Sequence, residues 1–208
     1  MIIAVDGTTA SGKGTIAKAL ADHFGLPHLD TGLLYRAVGR QVALTGGDPD
    51  READALAACD FDDALLADLE LRTEVSGGLA SRVSIHPAVR HALLNRQRVF
   101  ASQPGGAVLD GRDIGTVIAP QADVKLFVIA SLEARAERRH AELVKAGREV
   151  TLDAITADLA RRDERDTNRK DAPLKPAEDA VTLDTTRIGR EAAVREAIQI
   201  VEERIEVN

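Results

Sequence analysis

Residues 7–15 read GTTASGKGT, and no other stretch limits the possible fold as strongly. An apolar run, IIAVD (2–6), precedes it and has the length of a buried strand. The segment after it, KGTIAKALADHFG (13–25), places Ile16, Ala17, Leu20 and Phe24 at helical spacing, with Gly25 as a stop. A strand entering a glycine-rich loop that opens a helix is the setting a phosphate-binding loop requires. Gly7 and Gly12 let the main chain turn and approach a ligand closely. Backbone N–H groups from Thr8 to Thr15 can then curl around phosphate oxygens, helped by the positive end of the helix starting near Lys13. The expected donor-nucleotide contacts are Gly7, Thr8, Thr9, Ala10, Ser11, Gly12, Lys13, Gly14 and Thr15. Lys13 brings a full charge to the β- and γ-phosphates. The common loop has Ser or Thr directly after its Lys, where the hydroxyl touches Mg²⁺. Here Gly14 follows Lys13 and the hydroxyl comes one residue late, at Thr15.

Further short apolar runs occur at LPHLD (26–30), AVLD (107–110), VKLFVIA (124–130) and VTLD (181–184). Helical patterns separate them: 31–45, parts of 52–75, about 78–85, Pro87 to about 102, about 132–146, a segment from about 152, and 189–206. Strands alternating with helices predict an α/β domain with a five-stranded parallel sheet. Functional residues should then collect at the strands' carboxyl ends. Asp110 closes one buried run and is placed to hold the water shell of Mg²⁺; a turn or cap aspartate is the plain alternative. The run RRDERDTNRKD (161–171) has nine charged residues in eleven. Arg162, Asp166 and Arg169 lie at i, i+4 and i+7, so one helical face would show two arginines for phosphates and a carboxylate for ribose hydroxyls.

The GKGT ending of the loop resembles the form found in nucleoside monophosphate kinases, where the metal is held largely through water and the nucleotide. Four further stretches, LDTGLLYR (29–36), ASRVSIHPAVR (80–90), LDGRDIGT (109–116) and RRDERDTNR (161–169), resemble bacterial cytidylate kinases in the same order over nearly the whole chain. The resemblance implies transfer of the γ-phosphoryl group of ATP to CMP or dCMP, with Mg²⁺. It implies a P-loop kinase fold in one domain spanning residues 1–208, with a moving NMP-binding region at about 31–103 and an arginine-rich helical lid at about 147–171. It places Thr31 near the acceptor nucleotide and Arg36 on its phosphate, and gives base reading to Ser81 and Arg90. Arg112 is implied at the CMP phosphate and Asp113 at the cytosine edge, with Arg162, Asp166 and Arg169 at phosphate and sugar. Lys13, Arg112, Arg162 and Arg169 make the implied catalytic set, and Arg138 is the expected ATP-side residue of the lid. Bacterial relatives usually carry a longer NMP-region insertion with a small β-hairpin. Here 59–78 is short and acidic, so a helix–loop is expected in its place.

Composition removes several other classes. The net charge of −7 argues against general nucleic-acid binding, and four Phe, one Tyr and no Trp leave no stacking platforms for a repair ATPase. Nothing approaches the roughly 20 apolar residues of a membrane span. One cysteine, Cys59, permits no internal disulfide, and no basic leader precedes the first strand, so a cytoplasmic protein is expected. The resemblance implies a monomer whose partners are the small nucleotides ATP, CMP and dCMP, with no nucleic acid or membrane. The five histidines show no metal-ligand spacing. Another small-molecule kinase remains an alternative. So does a nonenzymatic nucleotide switch, although NRKD (168–171) has the wrong order for the guanine-reading Asn-Lys-x-Asp.

Overall fold

A computed structural model describes residues 1–207. Five parallel strands form one sheet in the order β2-β3-β1-β4-β5. They are β1 (Ile2–Gly7), β2 (His28–Asp30), β3 (Ala107–Gly111), β4 (Val124–Ile129) and β5 (Val181–Asp184). The helices are α1 (Lys13–Phe24), α2 (Thr31–Leu44), α3 (Glu52–Ala57), α4 (Glu74–Val83), α5 (Pro87–Ala101), α6 (Leu132–Lys145), α7 (Leu152–Asn168) and α8 (Arg190–Val207). All five strands predicted from apolar runs are present. No helix among the described residues is long and apolar enough to cross a membrane.

β1 runs through the middle of the sheet, and its alternation divides the core between two faces. Ile3 and Val5 pack with Ile16 and Leu20 of α1 and Ala197 and Val201 of α8. Ala4 points the other way, toward Ala101, Leu109 and Ile114. Residues of 31–103 build a separate apolar cluster around Leu34, Val38, Leu71, Val83 and Val89. The α6–α7 pair has only a small one, of Ala136, Ile155 and Leu159.

Three local outcomes differ from the sequence reading. First, α4 starts at Glu74 rather than near 78, because Thr73 caps it by accepting the Ser76 N–H at 3.3 Å. Gly77 and Gly78 had disguised its first turns. Second, α7 ends at Asn168 and Arg169 lies just beyond it in extended backbone, so the expected helical face loses its last member. Third, a π-type turn at Ile114–Ile118 follows β3. The 59–78 segment contains two 3₁₀ turns, Asp63–Ala67 and Leu69–Arg72, and the start of α4, with no strand pair. That is the expected helix–loop.

Candidate active site

The carboxyl ends of β1, β2 and β3 place their loops side by side. At the end of β1, Gly7 has φ 155° and sits against β4, where a Cβ would come within 2.0 Å of the Val128 carbonyl oxygen. Gly12 then enters α1 in left-handed backbone (φ 92°). These two positions need glycine for conformation and close approach. The loop between them is self-supporting. Ser11 Oγ donates to the Thr8 carbonyl at 3.0 Å, and Lys13 Nζ reaches the same oxygen at 3.4 Å. Burial, with repulsion from Arg112, pushes the Lys13 ammonium down to about 8, while Asp110, Asp30 and Asp166 oppose the shift.

One cavity of about 220 Å³ runs from this loop to residues of α4 and α5. It is lined by Thr9, Ala10, Lys13 and Gly14 at one end and by Ser81, Arg90 and Asp113 at the other. Thr31, Arg36, Asp110, Arg112, Arg162, Asp166 and Arg169 line the space between. Gly7, Thr8, Ser11, Gly12 and Thr15 are not among its lining residues.

Arg112 joins three parts of the cavity. Its Nη2 donates to Thr9 Oγ1 of the P-loop and its Nε to Asp166 of α7, both at 2.7 Å. Burial works against ionisation of Asp166, but Arg112, Arg169 and Arg162 outweigh it and hold the carboxyl below its usual range. Arg162 donates to the Gly77 carbonyl at 3.3 Å, and Arg36 to the Leu71 and Thr73 carbonyls at 2.8 and 3.2 Å. A Cβ on Gly77 would stand 3.1 Å from Arg162 and 3.4 Å from Arg36, so this glycine admits both guanidiniums to the backbone of α4. Burial and neighbouring guanidiniums lower the proton affinity of Arg36 and Arg162. Cations compressed in this way favour a bound polyanion.

At the other end, Arg90 pairs with Asp113, and Arg169 approaches the second oxygen of that carboxylate at 3.5 Å. Burial raises the Asp113 carboxyl despite both arginines. Arg90 also lies 5.7 Å from the Tyr35 ring centroid. Asp110, the penultimate residue of β3, accepts from His28 Nε2 at 2.8 Å when that nitrogen carries the imidazole proton, and its other oxygen faces Gly14. Thr31 Oγ1 donates to the Asp110 main-chain carbonyl at 2.8 Å. Among the described residues no group of three or more His, Cys, Asp or Glu side chains could enclose a metal ion. Asp110 and Asp30 beside the phosphate loop, too few to enclose an ion, suit a hydrated Mg²⁺ carried mainly by nucleotide oxygens.

Arg138, the expected ATP-side residue, does not line this cavity. Its guanidinium is spent on the Thr185, Thr186 and Ile188 carbonyls and on Thr185 Oγ1, in the loop after β5. Two other arginines on the same helix reach the phosphate loop and α4. Arg135 is buried, donates to the Thr9 carbonyl at 3.1 Å and makes a two-point pair with Asp163 of α7 at 3.1 and 2.6 Å. Arg139 pairs with Glu74 of α4. Arg165, also absent from the sequence reading, donates to Ser81 Oγ at 2.8 Å. The spacing of Arg135 and Arg139 (i, i+4) was the available signal. Cys59 donates to the Ala55 carbonyl and burial pushes its thiol up to about 11, so it is no nucleophile at neutral pH.

Residues 3–203 match the sequence profile of the cytidylate kinase family. The chain is 55% identical to a cytidylate kinase of Xanthobacter autotrophicus over 98% of both chains. It is 56% identical to one of Methylocella silvestris over 97% of this chain and 94% of that one. The fold is similar to a gluconokinase of Sinorhizobium meliloti, with TM-score 0.57 and 15% identity over 99% of this chain and 94% of the other. The chain belongs to the cytidylate kinase family.

Proposed function

We propose that this protein transfers the γ-phosphoryl group of ATP to the phosphate of CMP or dCMP. The observation that carries the reading is the single cavity with a phosphate loop at one end and the Arg90–Asp113 pair at the other. Donor and acceptor phosphates meet between them, where Lys13, Arg112, Arg162 and Arg169 converge. Phosphoryl transfer demands alignment and charge neutralisation more than a base. Lys13 and the P-loop amides hold donor phosphates; Arg36, Arg112 and Arg162 hold the acceptor phosphate; Asp166 and Arg169 bind at the sugar and phosphate. Ser81, Arg90 and Asp113 read the base, and Thr31 steadies the β3 end beside it. Asp110 would hold Mg²⁺ through water, and the bound ion would neutralise charge on the β- and γ-oxygens. An ATP-dependent assay against CMP, dCMP, UMP, AMP and shikimate tests the reading. Comparable turnover of AMP or shikimate would refute it. The same reading takes the enzyme as a cytoplasmic monomer acting on free nucleotides.

Residues 147–171 are read as a lid. Ile155 and Leu159 are the large buried apolar side chains of their small cluster, at about 1.5–3 kcal/mol each, with Leu132, Leu143 and Val150 packed partly buried against them. Most other ties to the rest of the molecule are polar, among them Arg112–Asp166, Arg169–Asp113, Arg90–Asp171, Arg165–Ser81, Arg135–Asp163 and the Arg162–Gly77 bond. Such a segment opens below the global unfolding free energy. Amide exchange over 147–171 should be fast in free enzyme and slow markedly when ATP analogue and CMP are both bound. Equal protection in both states would rule out a ligand-closed lid.

A further inference from the structure

We infer that Asp6 is a positioning residue for acceptor recognition, clamping the turn that carries Arg112 and Asp113 to the strand that launches the P-loop. Asp6 is the penultimate residue of β1, one step before Gly7, and is 5% exposed. Its Oδ1 accepts the Ile114 N–H at 2.8 Å and its Oδ2 accepts the Gly115 N–H at 2.8 Å. Both carboxylate oxygens are therefore committed to consecutive amides at the start of the π-type turn, 108 and 109 residues away in the chain. Arg112 and Asp113 are the two residues immediately before those amides.

The turn closes on itself through the Val117 and Ile118 N–H groups, which donate to the Asp113 carbonyl at 2.9 and 3.2 Å, and Ile114 is buried in the core; Asp6 supplies the side-chain acceptor for its first two amides. Asp113 has φ −147° and ψ 25°, outside helix and strand geometry, and its own side chain does not cap the turn. At Gly115 a Cβ would meet Lys125 Cδ at 3.1 Å and Asp6 Oδ2 at 3.5 Å, so the backbone is seated directly between the carboxylate and the Lys125 stem. Lys125 itself is occupied by both oxygens of Asp179 at 2.9 and 2.7 Å. The charged groups facing Asp6 are Arg112 and Asp113 from the turn and Lys125 from β4. Burial raises the Asp6 carboxyl to about 7, against the two amide bonds that lower it. A carboxylate whose ionised form is disfavoured by its site is a poor stabiliser of the fold, and its value lies in fixing two donors at once. As pH falls through about 7 the protonated acid turns an O–H toward one of the two amides and loses that bond.

The inference rests on the reading of Arg112 and Asp113 as acceptor contacts. Asp6→Asn keeps the shape, but its Nδ2 faces a backbone N–H and breaks half of the clamp. With ATP saturating, its KM for CMP should rise about tenfold and its CMP-over-UMP preference narrow, while the directly titrated ATP dissociation constant stays within about threefold. An unchanged CMP KM, or equal losses toward ATP and CMP, would overturn the clamp. Asp113→Asn separates the two claims. If it alters base preference and Asp6→Asn does not, the clamp fails; if neither does, the underlying site reading fails. Should Asp6→Asn not fold, the wild-type enzyme still decides. The Ile114 and Gly115 amide shifts should titrate with the Asp6 carboxyl carbon, and kcat/KM for CMP should fall at that same midpoint while ATP affinity holds level. Amide shifts that ignore the Asp6 titration would sink the proposal.

Discussion

Lys13→Ala should give a folded protein that has lost about 10²–10³ in kcat, or roughly 3–4 kcal/mol of transition-state stabilisation, by analogy with other preorganised electrostatic groups. The Lys13 ammonium stands beside the loop where donor phosphates would lie, and nothing else in the loop supplies a full positive charge. Arg112, the nearest cation, is committed to Thr9 and Asp166 and cannot fill the gap. The fold should not suffer. Lys13 has its proton affinity lowered from 10.5 to about 8, so between those values the unfolded chain binds more protons than the native one. Stability attributable to this group therefore rises as pH climbs from about 8 to 10.5, and at pH 7 the charged lysine is a net cost. The thermal midpoint of Lys13→Ala at pH 7 should equal or exceed that of wild type. The same shift predicts an alkaline limb. In free enzyme kcat/KM for ATP should decline as pH rises through about 8, while kcat at saturating ATP declines later because bound phosphates favour the ammonium. Near-normal turnover in Lys13→Ala, or loss accompanied by a collapsed midpoint, would contradict the role given to this residue.

What could be read in the chain follows from how far each signal reaches. The phosphate loop was legible because its glycines occupy positions where backbone geometry admits little else, as the Gly7 approach to Val128 shows. The strands were legible because a parallel sheet buries both faces, leaving short apolar runs. The arginine-rich site was legible mainly through resemblance. On a helix, an arginine that reaches the phosphate loop and one that is tied to the loop after β5 have the same local pattern. Arg135 and Arg138 illustrate this: the first meets Thr9 across 126 residues, the second meets Thr185 across 47. Asp6 was read simply as the end of a strand, since its two partners are supplied by a turn whose π geometry the sequence does not announce. Gly77 was hidden for the opposite reason. It reads as a helix breaker, whereas in α4 its missing side chain makes room for Arg162 and Arg36.

Asp113→Asn should abolish most activity on CMP and narrow the preference for CMP over UMP, with ATP affinity little changed. Cytosine offers an amino donor at N4 and acceptors at N3 and O2, whereas uracil puts a carbonyl acceptor at the position of the amino group. Asp113 is 4% exposed and carries Arg90 on one oxygen and Arg169 near the other, so its acceptor lone pairs and the arginine donors form a fixed pattern. That pattern matches cytosine, with the carboxylate accepting from N4 and Arg90 donating to ring acceptors. Uracil O4 would face the carboxylate across a desolvated gap, losing one bond and adding repulsion. Sites built on buried hydrogen-bonding groups can reject such a mismatch by about 10⁴-fold. Asparagine reverses the polarity of half the group. Its amide can rotate to donate to uracil O4, but it leaves Arg90 and Arg169 without their counter-charge in a buried site. CMP turnover should therefore fall by far more than UMP turnover, which is the sign of a specificity residue and not of a general defect. Donor binding is the internal control, because Asp113 lines the end of the cavity opposite the phosphate loop. Measuring kcat/KM for both acceptors in wild type and variant decides the matter: an unchanged CMP/UMP ratio would mean that Asp113 does not read the base.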